Sequence, residues 1–274
     1  MHNARTLPSL LRCRCKTACS IGAWILTMLG LVWAVVAGAE SMGYNWQWYR
    51  VPRFILLPDN SPGPILHGAG VTLLISGLGL VGATILALGT ALLRLSGSTV
   101  GQALARCYLE LIRNTPLLVQ IFFIYFVLAP AVGLGRLPSA ILALALFEGA
   151  YASEIIRAGI LAVPRGQWEG ALSLGMSTRR VYMLVILPQA LRTVLPPLTS
   201  QGVSLIKDSA LVSTIAIFDL TMHAQAIVAE TFLSFEIWFV VAGIYLLFTL
   251  TLSTLAKFLE KQSPAPHLEE SCPD

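Results

Sequence analysis

Glu148 stands near the middle of the apolar run Leu137–Ile160. An ionisable group in hydrocarbon costs about 2.5–3.5 kcal/mol on insertion scales, so it must face protein or a water-filled cavity rather than lipid. Gln120 in the preceding apolar run, with Gln201 and Ser204 in a later one, supplies neutral hydrogen-bonding groups that can line a polar path beside it. Such a set recognises a polar solute or an ion by charge and hydrogen bonds, without making or breaking bonds. A buried structural hydrogen bond is the other reading of Glu148; the path role is favoured. Pro196-Pro197 interrupts the run Leu184–Ile206 near its midpoint, removing two backbone donors and freeing carbonyls. Broken helices at the midplane recur at solute sites, so both prolines join the path candidates. Glu154 and Arg157, three apart, read as a helix-stabilising pair, as do Glu110 and Arg113.

Covalent and nucleotide chemistry find no support. No G-x-x-x-x-G-K-[ST], H-E-x-x-H or nucleophile elbow is present, and the four histidines are scattered. Cys13, Cys15 and Cys19 lack a fourth ligand at metal-site spacing, so no metal and no cofactor are expected. Work must therefore come from a partner.

The stretch Glu169–Pro188, EGALSLGMSTRRVYMLVILP, is the surface that could receive one. Ala171 and Gly175 are four apart and, on a continuous helix, stack on one face as a smooth notch with Glu169 at its edge. Leu187-Pro188 suits the first turn of a following helix, where the missing N–H costs little. Asn114-Thr115-Pro116 similarly reads as a helix start, with Thr115 as cap and Pro116 at the first position.

These groups sit in a chain that is 56% hydrophobic and only 12% charged, with mean hydropathy +0.75. A soluble domain carries about a quarter charged residues, so the class is an integral membrane protein. Runs near the roughly 20 residues needed to span occur at Ile21–Ala39, Val71–Leu93, Pro116–Val132, Leu137–Ile160, Leu184–Ile206 and Ile237–Phe258. With the N-terminus inside, only Arg50, Arg53, Arg136 and Lys207 fall outside, and the other fourteen of the eighteen lysines and arginines lie inside. Both termini and the Glu169 stretch are thus expected in the cytoplasm. The net charge of +4 is modest and calls for no nucleic acid. The basic tail 1–20 precedes a first transmembrane helix, 21–39, which also has the form of a cleavable signal peptide ending in Ala37-Gly38-Ala39; retention is favoured. Residues 40–66, rich in aromatics and proline, read as an external interfacial segment. Residues 262–274 read as a disordered cytoplasmic tail.

The order E-x-A, three residues, Gly, nine residues, then aliphatic-x-Leu-Pro resembles the coupling-helix motif of permease subunits of bacterial ABC importers. AYASEIIRAGILAVPRGQWEGALSLGM, ILPQALR and IKDSALVS are similar to the branch that carries polar amino acids. The resemblance covers roughly His67 to Lys261. It implies an all-α, five-helix type I permease core over 67–261 with a coupling loop at 161–183, plus one extra N-terminal helix, in the bacterial inner membrane. It also implies a cytoplasmic ATPase dimer, a second permease that is identical or homologous, an extracytoplasmic solute-binding protein, and an amino acid as cargo. The glutamate/aspartate and glutamine members look nearest. In that scheme Glu169 is the docking charge, Ala171 and Gly175 the contact surface, and Leu187-Pro188 the joint to the moving span. Gly170 replaces the usual alanine, which loosens the helix by about 0.5–1 kcal/mol. The RNTP signature and Lys207-Asp208 become gating or structural candidates, although Ser209-Ala210 departs from the usual Thr-Ser after the aspartate. An ion-coupled secondary transporter using Glu148, an importer for another amino acid class, and a structural subunit remain as alternatives.

Overall fold

A computed structural model describes residues 7–41 and 43–261, in two compact units divided after Trp48. The first unit is one helix, α1 (Leu7–Ser41), whose apolar part is Gly22–Gly38, followed by an aromatic ladder. Trp46 stacks on Trp48 at 6.0 Å and meets Tyr44 edge-on at 5.4 Å. The tail 262–274 and residues 1–6 of the basic N-terminal segment lie outside the described residues.

The second unit holds α2 (Pro64–Leu95), α3 (Thr99–Arg113), α4 (Leu117–Val132), α5 (Arg136–Leu161), α6 (Arg165–Ser173), α7 (Thr178–Ile215), α8 (Leu220–Thr231) and α9 (Ser234–Lys261). Among the described residues α2, α5, α7 and α9 are long and apolar enough to cross a membrane, and α3 with α4 forms a fifth, broken crossing. That matches the expected five-helix core. Outside the helices lies a small hairpin, in which Leu56 and Pro62 bridge around a turn closed by Ser61 Oγ donating to Asp59 at 2.7 Å.

α2 and α5 are the central pair, and glycine lets them touch. A Cβ on Gly82 would stand 2.8 Å from the Ala145 Cβ, and one on Gly149 would stand 2.9 Å from the Leu86 Cβ. With no hydrophobic drive between helices in lipid, such close backbone approach supplies the dispersion that holds them. Ile75, Leu144, Ile121 and Val212 then close one apolar core among α2, α4, α5 and α7. A second core, built on Ile65, Leu220, Leu233 and Ile237, fixes α8 and α9 to the start of α2.

Three expectations are corrected. The span predicted at Pro116–Val132 begins earlier, because α3 precedes it and turns 106° into α4. Pro116 lies outside both helices at ψ 141°, and its missing N–H leaves the last carbonyls of α3 to side chains. Thr115 does not cap α4; its Oγ1 donates back to Leu111 O at 2.8 Å and so closes α3. The double proline does not break its helix. Leu187–Asp208 runs through Pro196 and Pro197, both exposed, with Thr199 Oγ1 donating to Pro196 O at 2.7 Å. α7 packs against both α5 and α9, and the helix continues through the two prolines.

Two π turns interrupt the ladder instead. At Tyr182–Ile186 the Leu187 N–H reaches back to Tyr182 O, and at Ile124–Leu128 the Ala129 N–H reaches Ile124 O. Each ends two residues before a proline, Pro188 and Pro130. A proline has no N–H to donate to the i−4 carbonyl, and the ladder shifts by a residue just ahead of it. Pro188 therefore marks a joint inside a continuous helix rather than the start of a new one.

Candidate functional site: a buried carboxylate chamber and an outlying short helix

Glu148 lies halfway along α5 and is 1% exposed. Its Oε2 accepts a hydrogen bond from Gln201 Nε2 on α7, while its Oε1 has no partner. The Asp208 carboxyl, on the same face of α7 nearly two turns on, is close enough to interact with it. Glu148 and Gln201 open onto a chamber of about 80 Å³ walled by Leu80, Ala83, Ala87, Ala152, Leu198 and Leu205, with Asp208 behind Glu148 and outside the lining. Apolar walls around a few convergent polar groups are how small-molecule sites are built, and an unpartnered carboxylate oxygen is an open acceptor for a donor from a guest.

Of the sequence-predicted path residues, the fold unites Glu148 with Gln201 and adds Asp208. Ser204 is half-buried and does not line the chamber, nor do Pro196 and Pro197; Pro196 borders a different groove with Thr199 and Lys257. Gln120 sits elsewhere: its Nε2 donates to Ile112 O at 2.7 Å, Thr115 O at 3.1 Å and Thr115 Oγ1 at 2.9 Å. It stitches the break between α3 and α4, with Asn114 Nδ2 closing α3 onto Glu110 O at 2.8 Å. Lys207 is exposed.

Past the end of α5 the chain forms α6, the helix that carries the Glu169 motif. Pro164 leads into it, and Trp168 packs edge-on against Tyr182 at 4.9 Å. The predicted outward notch is corrected here. Ala171 is 6% exposed, turned into a core of Ile160, Val163, Val181, Ile186 and Ala190. Gly175 is off the helix altogether. At φ +75° it takes the left-handed conformation that ends α6, with its N–H on Leu172 O at 2.9 Å and Met176 N–H on Ala171 O at 3.3 Å. What faces outward is Glu169 and Gly170, with Leu172 51% and Leu174 84% exposed. These leucines were not singled out from sequence, since a leucine in an amphipathic stretch reads as core. Leu187 is partly exposed just past the π turn, and Pro188 follows it.

Sequence reading also missed a polar knot at the far end of the bundle. Asp219, fully buried, caps α8 by accepting Met222 N–H at 2.8 Å, and its Oδ2 has no partner. Leu220 N–H bonds Thr72 Oγ1 at 3.1 Å, and Thr221 meets the Tyr245 hydroxyl at 3.0 Å, tying α2, α8 and α9 together. Burial pushes the Asp219 carboxyl up to about 6.

A membrane-crossing helical bundle with a buried polar chamber and a short helix held outside it defines a permease body. The chain belongs to the family described as the binding-protein-dependent transport system inner membrane component, which it matches over residues 79–263. It is 39% identical over 201 residues to the glutamine transport system permease protein GlnP of Escherichia coli K12, covering 72% of this chain and 92% of that protein. It is 42% identical over 211 residues to the L-cystine transport system permease protein TcyB of Bacillus subtilis, covering 75% and 89%. A solved amino acid ABC transporter superposes with TM-score 0.68 at 37% identity, over 73% of this chain and 94% of the other. The MetNI methionine ABC transporter, at 15% identity, TM-score 0.64 and coverage of 73% and 96%, shares the fold. The ABC permease resemblance read from the Glu169 motif is thereby borne out.

Proposed function

We propose that this chain is the translocation subunit of an inner-membrane ABC importer for a polar amino acid, driven by ATPases that bind α6 from the cytoplasm. The observation that carries it is the Glu148–Gln201 chamber, backed by Asp208, on the same bundle as an outward Leu172–Leu174 ridge. In this reading the chain is not itself an enzyme: hydrolysis is on the partner, two permeases pair, and a loaded solute-binding protein meets the face opposite α6. ATP-driven closure of the ATPases moves α6, and because Ala171 is locked into the core of α5 and α7, the push is delivered to both helices together.

The relatives' names include glutamine and cystine, both neutral overall. Glu148 at the chamber, with the Asp208 carboxyl beside it, disfavours a further carboxylate, so the glutamine class is preferred over glutamate or aspartate. The Glu148 oxygen left open would take the ammonium group. Both termini lie in the cytoplasm, with Arg50, Arg53, Arg136 and Lys207 outside, as the charge asymmetry requires.

The test is reconstitution of the assembled complex in liposomes, measuring ATP hydrolysis and uptake with the binding protein loaded by each amino acid in turn. Stimulation by L-glutamine, lost in Glu148→Leu with ATPase binding intact, is the expected result. Uptake that runs on an ion gradient without ATP would sink the reading.

A further inference from the structure

A second cavity, of about 390 Å³, opens where α3 passes α5 at the α6 end of the bundle. Its polar walls are Arg94, Glu110, Arg113, Asn114, Tyr151 and Glu154, and it shares no residue with the Glu148 chamber. Glu154 is fully engaged, holding Arg94 at 3.2 Å and Arg157 at 2.9 Å. Glu110 and Arg113 are not. Their spacing of three is the one at which Glu154 and Arg157 do pair, and sequence reading paired them too. Instead the Arg113 guanidinium lies over the Tyr151 ring, 5.5 Å from its centre, and Glu110 Oε2 accepts from Asn114 Nδ2 at 2.8 Å. A cation and a carboxylate one turn apart thus face the same cavity without meeting.

That arrangement has a chemical complement. A guanidinium held over an aromatic ring by cation–π attraction keeps its N–H donors uncommitted, and two of them can receive a carboxylate by parallel hydrogen bonds. The free oxygen of Glu110 is an acceptor for an ammonium group. With two arginines and two glutamates in the walls, the cavity suits a molecule carrying both charges over a bare anion.

We propose that this cavity is a second amino-acid site on the α6 side of the bundle, binding the head group of a free amino acid with its carboxylate on Arg113 and its ammonium on Glu110. It rests on the importer reading for its ligand and sidedness. An occupant here bridges α3 to α5 just ahead of the break at Asn114–Pro116, so the amino acid already delivered is sensed by the bent crossing.

The test uses the permease–ATPase complex in phosphatidylcholine nanodiscs, without binding protein and in a Glu148→Gln background that removes the chamber's carboxylate. Radiolabelled L-glutamine is titrated, with glycine as a competitor that has the head group and no side chain. Glycine is expected to compete, and acetate or methylamine alone to compete at least tenfold less well. Arg113→Gln and Glu110→Gln are each expected to weaken binding tenfold or more, and Arg113→Lys, which keeps charge but loses the fork, by an intermediate factor. Affinity unchanged in both glutamine variants, in complexes that still hold the ATPase, overturns the site. So does displacement of glutamine by phosphatidylethanolamine through Arg113, which would assign the cavity to a lipid head group. ATP-driven uptake by the wild-type complex is measured alongside. Uptake without binding at this cavity removes the second site alone, whereas no uptake removes the importer reading.

Discussion

Replacing Leu174 by Ser should detach the ATPase while leaving the membrane bundle intact. Leu174 is 84% exposed, so its side chain contributes almost nothing to the fold of this chain. Fully burying a leucine is worth about 1.5–3 kcal/mol relative to leaving it exposed. If the ridge docks in a partner groove, the change removes about 2 kcal/mol, which weakens binding about 30-fold. The matched control is Ala171→Leu. Ala171 is already packed against Ile160, Val181 and Ile186, so the added bulk strains the core at about 1–3 kcal/mol and lowers thermal stability. The assay is surface binding of the purified ATPase to permease in nanodiscs, paired with a thermal melt of each variant. Leu174→Ser with unchanged affinity would refute the outward-ridge reasoning. A lowered melting temperature in that variant would show that Leu174 packs within the chain after all.

Further expectations concern the bundle itself. Gly82→Val should lower the melting temperature by the equivalent of about 1–3 kcal/mol, since its Cβ would press on Ala145, whereas Gly89→Ala, with open space around it, should not. Gln120→Leu leaves Ile112 O and Thr115 O without their side-chain donor at about 1–3 kcal/mol, and hydrogen exchange should rise at residues 112–117 while α5 stays protected. Asp219 has an ordinary value of 3.8 and is raised to about 6 by burial, so its neutral form favours the folded state. Its contribution to stability is full below 3.8 and is lost as pH rises through about 6, an effect on the order of 3 kcal/mol. Asp219→Asn should flatten stability measured by thermal melts across that window, and an unchanged slope would dismiss the buried carboxyl as its cause.

Glu148 was legible because a carboxylate in hydrocarbon has few places to go, and Gln201 followed because it is the amide at matching depth. Asp208 was legible only as a terminal residue. Its approach to Glu148 depends on the helix continuing through Pro196-Pro197, and on which way α7 is rotated. The notch at Ala171 and Gly175 was a correct inference from spacing on a helix that stops too soon; the left-handed glycine itself ends the helix that would have aligned the two. α3 escaped detection as part of a crossing because Arg106, Glu110 and Arg113 make it read as a water-facing segment, and only packing shows that Tyr108 reaches Leu146 O at 2.6 Å on α5. Pro116 announced a boundary but could not say that a helix lay on both sides of it. The Glu110–Arg113 pair failed for a reason no spacing rule contains: Tyr151, contributed by another helix, competes for the cation.

The π turn at Tyr182–Ile186 is, in effect, one inserted residue between α6 and the chamber. A deletion of a single residue there would restore a regular ladder and leave everything beyond Leu187 in nearly its present phase, whereas a deletion in the regular helix between Leu187 and Gln201 would turn the remainder by about 100° about the α7 axis. Gln201 would then swing off Glu148 although no residue of the chamber had changed. The turn is therefore a buffer: a residue gained or lost beside α6 is absorbed there, and hybrids joining the α6 region of one such permease to the chamber of another should work when the junction falls within it.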